Sequence, residues 1–101
     1  MKKFYDKCYE VLKKVPPGRV TTYKDIAIAL HSKAYRAVGT AMKKNPYAPG
    51  VPCHRVVNSD GSIGNYARGK KSKIKMLKRE GIKIKGDRIN LSEYGWKKSG
   101  G

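Results

Sequence analysis

The sequence predicts a small, mostly α-helical single domain: a helix-turn-helix, winged-helix-like core with short extended segments attached. Three observations carry that expectation. Apolar residues recur at spacings of three and four over residues 2–15, and again in two shorter stretches joined by a turn. Runs that read as extended are short and confined to 53–57 and 82–96. A chain of 101 residues has room for one core and not for two. The domain is expected to span 1–98, with 99–101 as a frayed end.

The first helix is expected over residues 2–15, where Phe4, Tyr5, Cys8, Val11, Leu12 and Val15 form one stripe and lysines occupy much of the other face. Pro16-Pro17-Gly18 ends it, since neither proline donates a backbone hydrogen bond. Thr22, with Asp25 three residues later, reads as a capping box opening a helix of about two turns. His31-Ser32-Lys33 reads as a turn, and a third helix follows from Ala34 to Lys44 with Val38 and Met42 inward. This pair resembles a helix-turn-helix, a pattern that helical hairpins in non-binding proteins share.

Three prolines make 45–52 a stiff irregular loop. Cys53–Val57 reads as a buried strand or an extended run. Asn58-Ser59-Asp60-Gly61 reads as a turn of the kind that closes hairpins. Gly64 and Gly69 bracket a second loop. A basic helix follows over 70–80, with Ile74, Leu77 and Met76 inward and Gly81 as its stop. Residues 82–96 alternate apolar and polar and read as a strand or extended tail packing back on the domain.

The charge is extreme: 24 Lys+Arg against 7 Asp+Glu, a formal +17. Such a chain repels itself and is suited to a large anion, nucleic acid first and an anionic membrane surface second. A hydrophobic fraction of 39% with seven tyrosines separates it from disordered polycations. No stretch approaches the ~18 apolar residues needed to span a bilayer, and residues 1–6 lack the apolar run of a secretory signal. Two cysteines give no disulfide framework and fit a reducing interior. Cys8, His31, Cys53 and His54 lack the paired spacing of a zinc site, so no metal is expected.

Chemistry concentrates at Pro52-Cys53-His54-Arg55. A thiol is a useful nucleophile only as thiolate, which calls for a nearby base or positive charge and some solvent access. Neighbours on an extended chain point to opposite sides, so contact between Cys53 and His54 requires a local turn or a bridging water. On spacing alone, a buried structural cysteine beside a surface histidine is the reading to prefer over a reactive thiol. Cys8, on an apolar stripe, reads as a small buried hydrophobe.

Val51-Pro52-Cys53-His54-Arg55-Val56-Val57 resembles the active-site signature of the O6-alkylguanine-DNA alkyltransferases, the methylated-DNA–protein-cysteine methyltransferases. Pro17-Gly18-Arg19-Val20-Thr21-Thr22-Tyr23 looks like the start of that family's helix-turn-helix. Ala34-Tyr35-Arg36-Ala37-Val38-Gly39-Thr40-Ala41-Met42 looks like its recognition helix. Asn45-Pro46, Gly64-Asn65-Tyr66 and Glu80-Gly81 stand at matching distances. The resemblance covers roughly 2–96 and is to the C-terminal catalytic and DNA-binding domain alone.

The resemblance implies DNA repair by single-turnover transfer of an alkyl group from guanine O6 in duplex DNA to Cys53, after base flipping, with no cofactor. It implies His54 as base through a water, Glu80 as its orienter, Tyr23 as proton donor to the guanine ring, and Asn45 as a brace for the cysteine loop. It implies that Arg36 fills the gap in the base stack, and that Tyr35, Ala37, Gly39 and Lys43 meet the DNA. Met42, Val56, Gly64, Asn65, Tyr66, Ala67 and Arg68 would line the pocket for the flipped base, Val56 through its carbonyl. The partner is double-stranded DNA containing O6-alkylguanine, met by a monomer away from membranes, in a cytoplasmic, nucleoid-associated or nuclear setting.

Four features depart from the family pattern. The usual additional N-terminal domain has no counterpart in these residues. Tyr35 stands where a small residue is common, and Ala67 where Ser is frequent. Arg68 replaces a small residue and would narrow the pocket. The competing class is the alkyltransferase-like proteins, which bind alkylated DNA without transfer and usually carry tryptophan at the acceptor position. Cys53 argues against that class.

Overall fold

The computed structural model describes residues 3–47, 50–64, 66 and 69–96. Its first helix, α1 (Phe4–Lys13), exists because Cys8 and Leu12, with Val15 just beyond, make an apolar face that the rest of the domain covers. Full burial of a side chain the size of Leu12 contributes roughly 1.5–3 kcal/mol. Tyr9, outside the predicted stripe, is buried too. Its hydroxyl donates to the Ala41 carbonyl at 2.8 Å, and its ring meets Tyr47 edge-on.

The strand β1 (Thr21–Thr22) runs straight into α2 (Tyr23–Ala29). Thr22 ends one and caps the other, its Oγ1 accepting the Asp25 N–H at 3.0 Å. The link to α3 (Tyr35–Lys43) is longer than the expected three-residue turn. Leu30 caps α2, His31 takes a left-handed φ of 55°, and the Ala34 N–H donates to Ser32 Oγ at 3.0 Å. α3 buries Val38, Ala41 and Met42, and the three helices pack on one another.

Cys53–Arg55 form a single 3₁₀ turn, not an extended run, and β2 (Val56–Val57) follows at once. β2 pairs with β1 in parallel, Val56 opposite Thr21 and Val57 opposite Thr22. The turn at Asn58–Gly61 is present, its Gly61 N–H bonded to the Asn58 carbonyl at 2.9 Å. It closes no hairpin with β2, because β2 already has β1 and Ser62 bridges to Arg88. Gly61 has a φ of 88°, and a Cβ there would stand 2.6 Å from the Ile89 carbonyl oxygen.

α4 (Lys70–Arg79) ends at Glu80 and Gly81, the glycine at a φ of 90°. Within the tail expected to be extended lies a short helix, α5 (Leu91–Tyr94), opened by Asn90, whose side chain accepts the Ser92 N–H at 2.9 Å. The tail does return to the domain: the Trp96 N–H donates to the Val20 carbonyl at 2.7 Å.

The apolar residues form two clusters with the β1–β2 pair as their seam. Strand alternation sends Val56 to the cluster under α1–α3 and Val57 to the one under α4 and the tail. Among the described residues no helix is long and apolar enough to cross a membrane.

Candidate active site

Pro52 builds the local geometry of Cys53. Its φ of −81° and ψ of 68° form an inverse γ-turn, closed by the Cys53 N–H on the Val51 carbonyl at 2.8 Å. The Arg55 N–H then bonds the Pro52 carbonyl at 2.9 Å, starting the 3₁₀ turn. The Val51 carbonyl takes a second bond, from Asn45 Nδ2 at 2.9 Å. Asn45 Oδ1 in turn accepts the Tyr47 N–H, so one carboxamide ties both ends of the proline loop.

His54 is 2% exposed, and its Nε2 lies 3.0 Å from Glu80 Oε2. A carboxylate accepts only, so Nε2 carries the proton and Nδ1 is left with its lone pair. Nδ1 is buried and has no hydrogen-bond partner among the described residues. Burial pushes the imidazole below its ordinary value, against the opposing pull of Glu80, which keeps it neutral. Arg55 holds Glu80 from the other side, Nε to Oε1 at 2.9 Å and Nη2 to Oε2 at 2.6 Å. Its Nη1 reaches the Val15 carbonyl beyond α1 at 2.9 Å. Burial alone would raise the Glu80 carboxyl. The bonds from Arg55 and His54 outweigh it and hold the group below the usual carboxylate range.

Cys53, 5% exposed, opens onto a cleft of about 770 Å³ between α3 and the segment after Ile63. That volume is in the range of small-molecule pockets. Tyr23, Arg36, Gly39, Met42, Lys43, Gly64 and Tyr66, all singled out from the sequence, share its wall. Tyr23 opens α2. Its hydroxyl is pushed above the ordinary value by burial and then by negative charge on Cys53, so it keeps its proton at neutral pH. A neighbouring cleft of about 660 Å³ reaches Tyr35 and Lys24, with Tyr23, Arg36, Gly39 and Asn58 common to both.

The remaining sequence-predicted residues are placed differently. Val56 turns its side chain into the core and lines neither cleft, because its strand register commits it to the apolar cluster. Ala37 is half-buried on α3 and lines neither cleft. Asn65, Ala67 and Arg68 lie outside the described residues.

Four residues at the site were not foreseen. Thr40 and Asn58 line the main cleft, Arg55 clamps Glu80, and Lys73 is fully buried with its Nζ on the Ile63 carbonyl at 2.6 Å. Asn58 packs against Gly64, where a Cβ would come within 3.3 Å of its Nδ2. Spacing could have found Lys73, which lies one turn before the buried Leu77.

The molecule is thus a helix-turn-helix domain whose second helix shares a cleft with a thiol, backed by an imidazole and a clamped carboxylate. The sequence profile described as 6-O-methylguanine DNA methyltransferase, DNA binding domain, matches residues 3–82, and the chain belongs to that family. It is 43% identical over 91 residues to a bifunctional methyltransferase/endonuclease of Picrophilus torridus, covering 89% of this chain and 30% of that protein. It is 48% identical over 82 residues to a methylated-DNA–protein-cysteine methyltransferase of Metallosphaera sedula, covering 81% and 51% respectively. The chain thus spans a third to a half of the curated relatives it matches. Its fold also matches the crystal structure of S. pombe Atl1 in complex with damaged DNA containing O6-carboxymethylguanine. That match has a TM-score of 0.86 at 35% identity and covers 97% of this chain and all of that one.

Proposed function

We propose that this protein repairs DNA by moving an alkyl group from O6 of guanine to the sulfur of Cys53, once per molecule. One observation carries the reading: beside a thiol that opens onto a cleft, His54 offers a buried Nδ1 lone pair that has no partner among the described residues, while Nε2 is committed to Glu80. Nδ1 takes the thiol proton through a bridging water, and Glu80 stabilises the imidazolium so formed. The thiolate attacks the alkyl carbon, the carbon–O6 bond breaks, and its electron pair stays with the base. Tyr23 gives its proton to a guanine ring nitrogen, so the base leaves neutral, and the proton on His54 makes good that loss. In sum, the thiol hydrogen exchanges for the alkyl group.

The target base must leave the duplex, which costs a few kcal/mol. Arg36, exposed on α3 between the two clefts, fills the gap in the stack. Gly39 faces open space, with nothing within 4 Å of a built Cβ. Packing within the chain therefore does not demand glycine there, and close approach of DNA does. Tyr35, Ala37 and Lys43 complete the helix face, and Met42, Gly64 and Tyr66 receive the base, with the Val56 carbonyl and Asn65, Ala67 and Arg68 at its edge. Asn45 holds the cysteine loop. The matched region acts as the family's catalytic as well as its DNA-binding portion, as a monomer, wherever the cell keeps its DNA.

The alternative, binding of alkylated DNA without transfer, ranks below this reading because Cys53 is present as acceptor. The two separate in one experiment: incubation with an oligonucleotide carrying O6-methylguanine, followed by intact mass. Transfer adds one methyl in place of one hydrogen, and Cys53→Ala abolishes the gain. Unchanged mass with retained binding to the lesion defeats the transfer reading.

A further inference from the structure

Lys73 is fully buried, the only lysine so placed among the described residues, while its helix neighbours Lys70, Lys71 and Lys75 face solvent. An ammonium is not left in a core without compensation. Two features of its surroundings contribute. Its Nζ donates to the Ile63 carbonyl at 2.6 Å, directly before Gly64 and three residues from Tyr66, both in the wall of the Cys53 cleft. α4 also packs on the Cys53–Arg55 turn, and the cation couples electrostatically to the thiol and the imidazole there. Glu80, the acidic group at the other end of α4, is already committed to Arg55 and His54.

We propose that Lys73 is a positioning residue for alkyl transfer: its buried ammonium anchors the cleft wall through Ile63 and, carried on the helix that packs on the Cys53 turn, favours the thiolate. This rests on Cys53 being the acceptor. Burial pushes Lys73 down to about 8 while negative charge on Cys53 pulls it back up, so the two groups sense one another and the cation persists at neutral pH. The same positive charge helps to hold His54 neutral. Among the described residues, titratable or charged groups facing this pair include Tyr23 from α2, His54 and Arg55 from the turn, and Glu80 from the end of α4 through His54.

The test compares wild type with Lys73→Met, which keeps chain length and removes charge. Capture of Cys53 by iodoacetamide is followed across pH without DNA, by peptide mass so that Cys8 is scored separately. Binding to undamaged duplex within twofold of wild type shows that the fold survives. The expected result is a capture profile moved about one unit to higher pH, an approximately tenfold loss of rate at pH 7, with methyl transfer slowed in parallel. A profile that keeps its midpoint and only falls in height overturns the proposal, because a structural anchor alone acts that way. Should Lys73→Met not fold, the Lys73 ε-carbon resonance is titrated in wild type and in Cys53→Ser. Coupling is reciprocal, so the Lys73 midpoint falls in Cys53→Ser, and equal midpoints overturn the proposal. Wild type that shows the pH-linked capture but gains no methyl from O6-methylguanine supports the Lys73–Cys53 coupling while defeating the transfer reading.

Discussion

Cys8 and Cys53 belong to the same apolar cluster, at 0% and 5% exposure, yet their surroundings differ in every chemical respect. Cys8 lies on α1 with apolar side chains about it, and burial pushes its thiol up to about 11. Cys53 caps a γ-turn at the wall of a cleft, with His54, Tyr23, Lys73 and the Arg55–Glu80 fork around it. Depth below the surface is nearly equal. Polar neighbours and one open side distinguish a packing group from a nucleophile.

The sharpest way to break this comparison is to delete each sulfur in turn. Cys53→Ala is expected to abolish methyl uptake by intact mass. Cys8→Ala retains transfer within twofold and costs about 1–2 kcal/mol of stability in urea, as a small cavity should. Methyl recovered on Cys8 would reverse the assignment of the two thiols.

Next in size is the fork. Glu80→Gln leaves Arg55 with a weaker acceptor and His54 with no anion to stabilise its charged form. Both partners keep slight solvent access, 13% and 16%, which places the expected loss at about 2–3 kcal/mol, below that of a fully buried pair. Transfer at pH 7 falls at least about tenfold by the same change, as is typical for loss of general base function. Stability within about 0.5 kcal/mol of wild type in urea would reduce the fork to a surface pair.

Acid provides a gentler probe of the same region. His54 sits below its ordinary 6.5 and Glu80 below its ordinary 4.5, so in both cases the unfolded chain takes up the proton first as pH falls. Stability is therefore complete above about pH 6.5, declines through the histidine window, and declines again below about 4.5. Urea midpoints measured from pH 7.5 to 3.5 should show both steps, and Glu80→Gln should lose the lower one. A flat curve between 7 and 5 contradicts a buried neutral His54. The smallest effect is reserved for the far side of the core: Tyr9→Phe removes the bond to Ala41 and costs about 1 kcal/mol with transfer unchanged.

Legibility in the sequence divided along contact range. The Thr22 cap on Asp25, the inward Val38 and Met42, the stop at Pro16 and the glycine exit from α4 are local events, and local spacing announces them. The parallel pairing of Thr21–Thr22 with Val56–Val57 is not local, and two-residue strands leave no alternation to read. Lysine's usual place in solvent concealed Lys73, although its register with Leu77 was visible. Arg55 stood in plain view within the Pro-Cys-His-Arg run, but its fork closes on a residue 25 positions away. α5 was masked by the alternating residues around it, and Asn90 as its cap was the available sign.

The β1–β2 pair also dictates where the chain tolerates a change of length. It joins the two residues before Tyr23 to the two residues after Arg55, so the helix pair and the thiol are gauged from one two-rung ladder. A residue inserted between Thr22 and Tyr23, or between Arg55 and Val56, would shift one half of the site against the other. The stretches 30–34 and 83–88 sit outside that gauge, and a change of length there is expected to leave the reach from helix to sulfur in place.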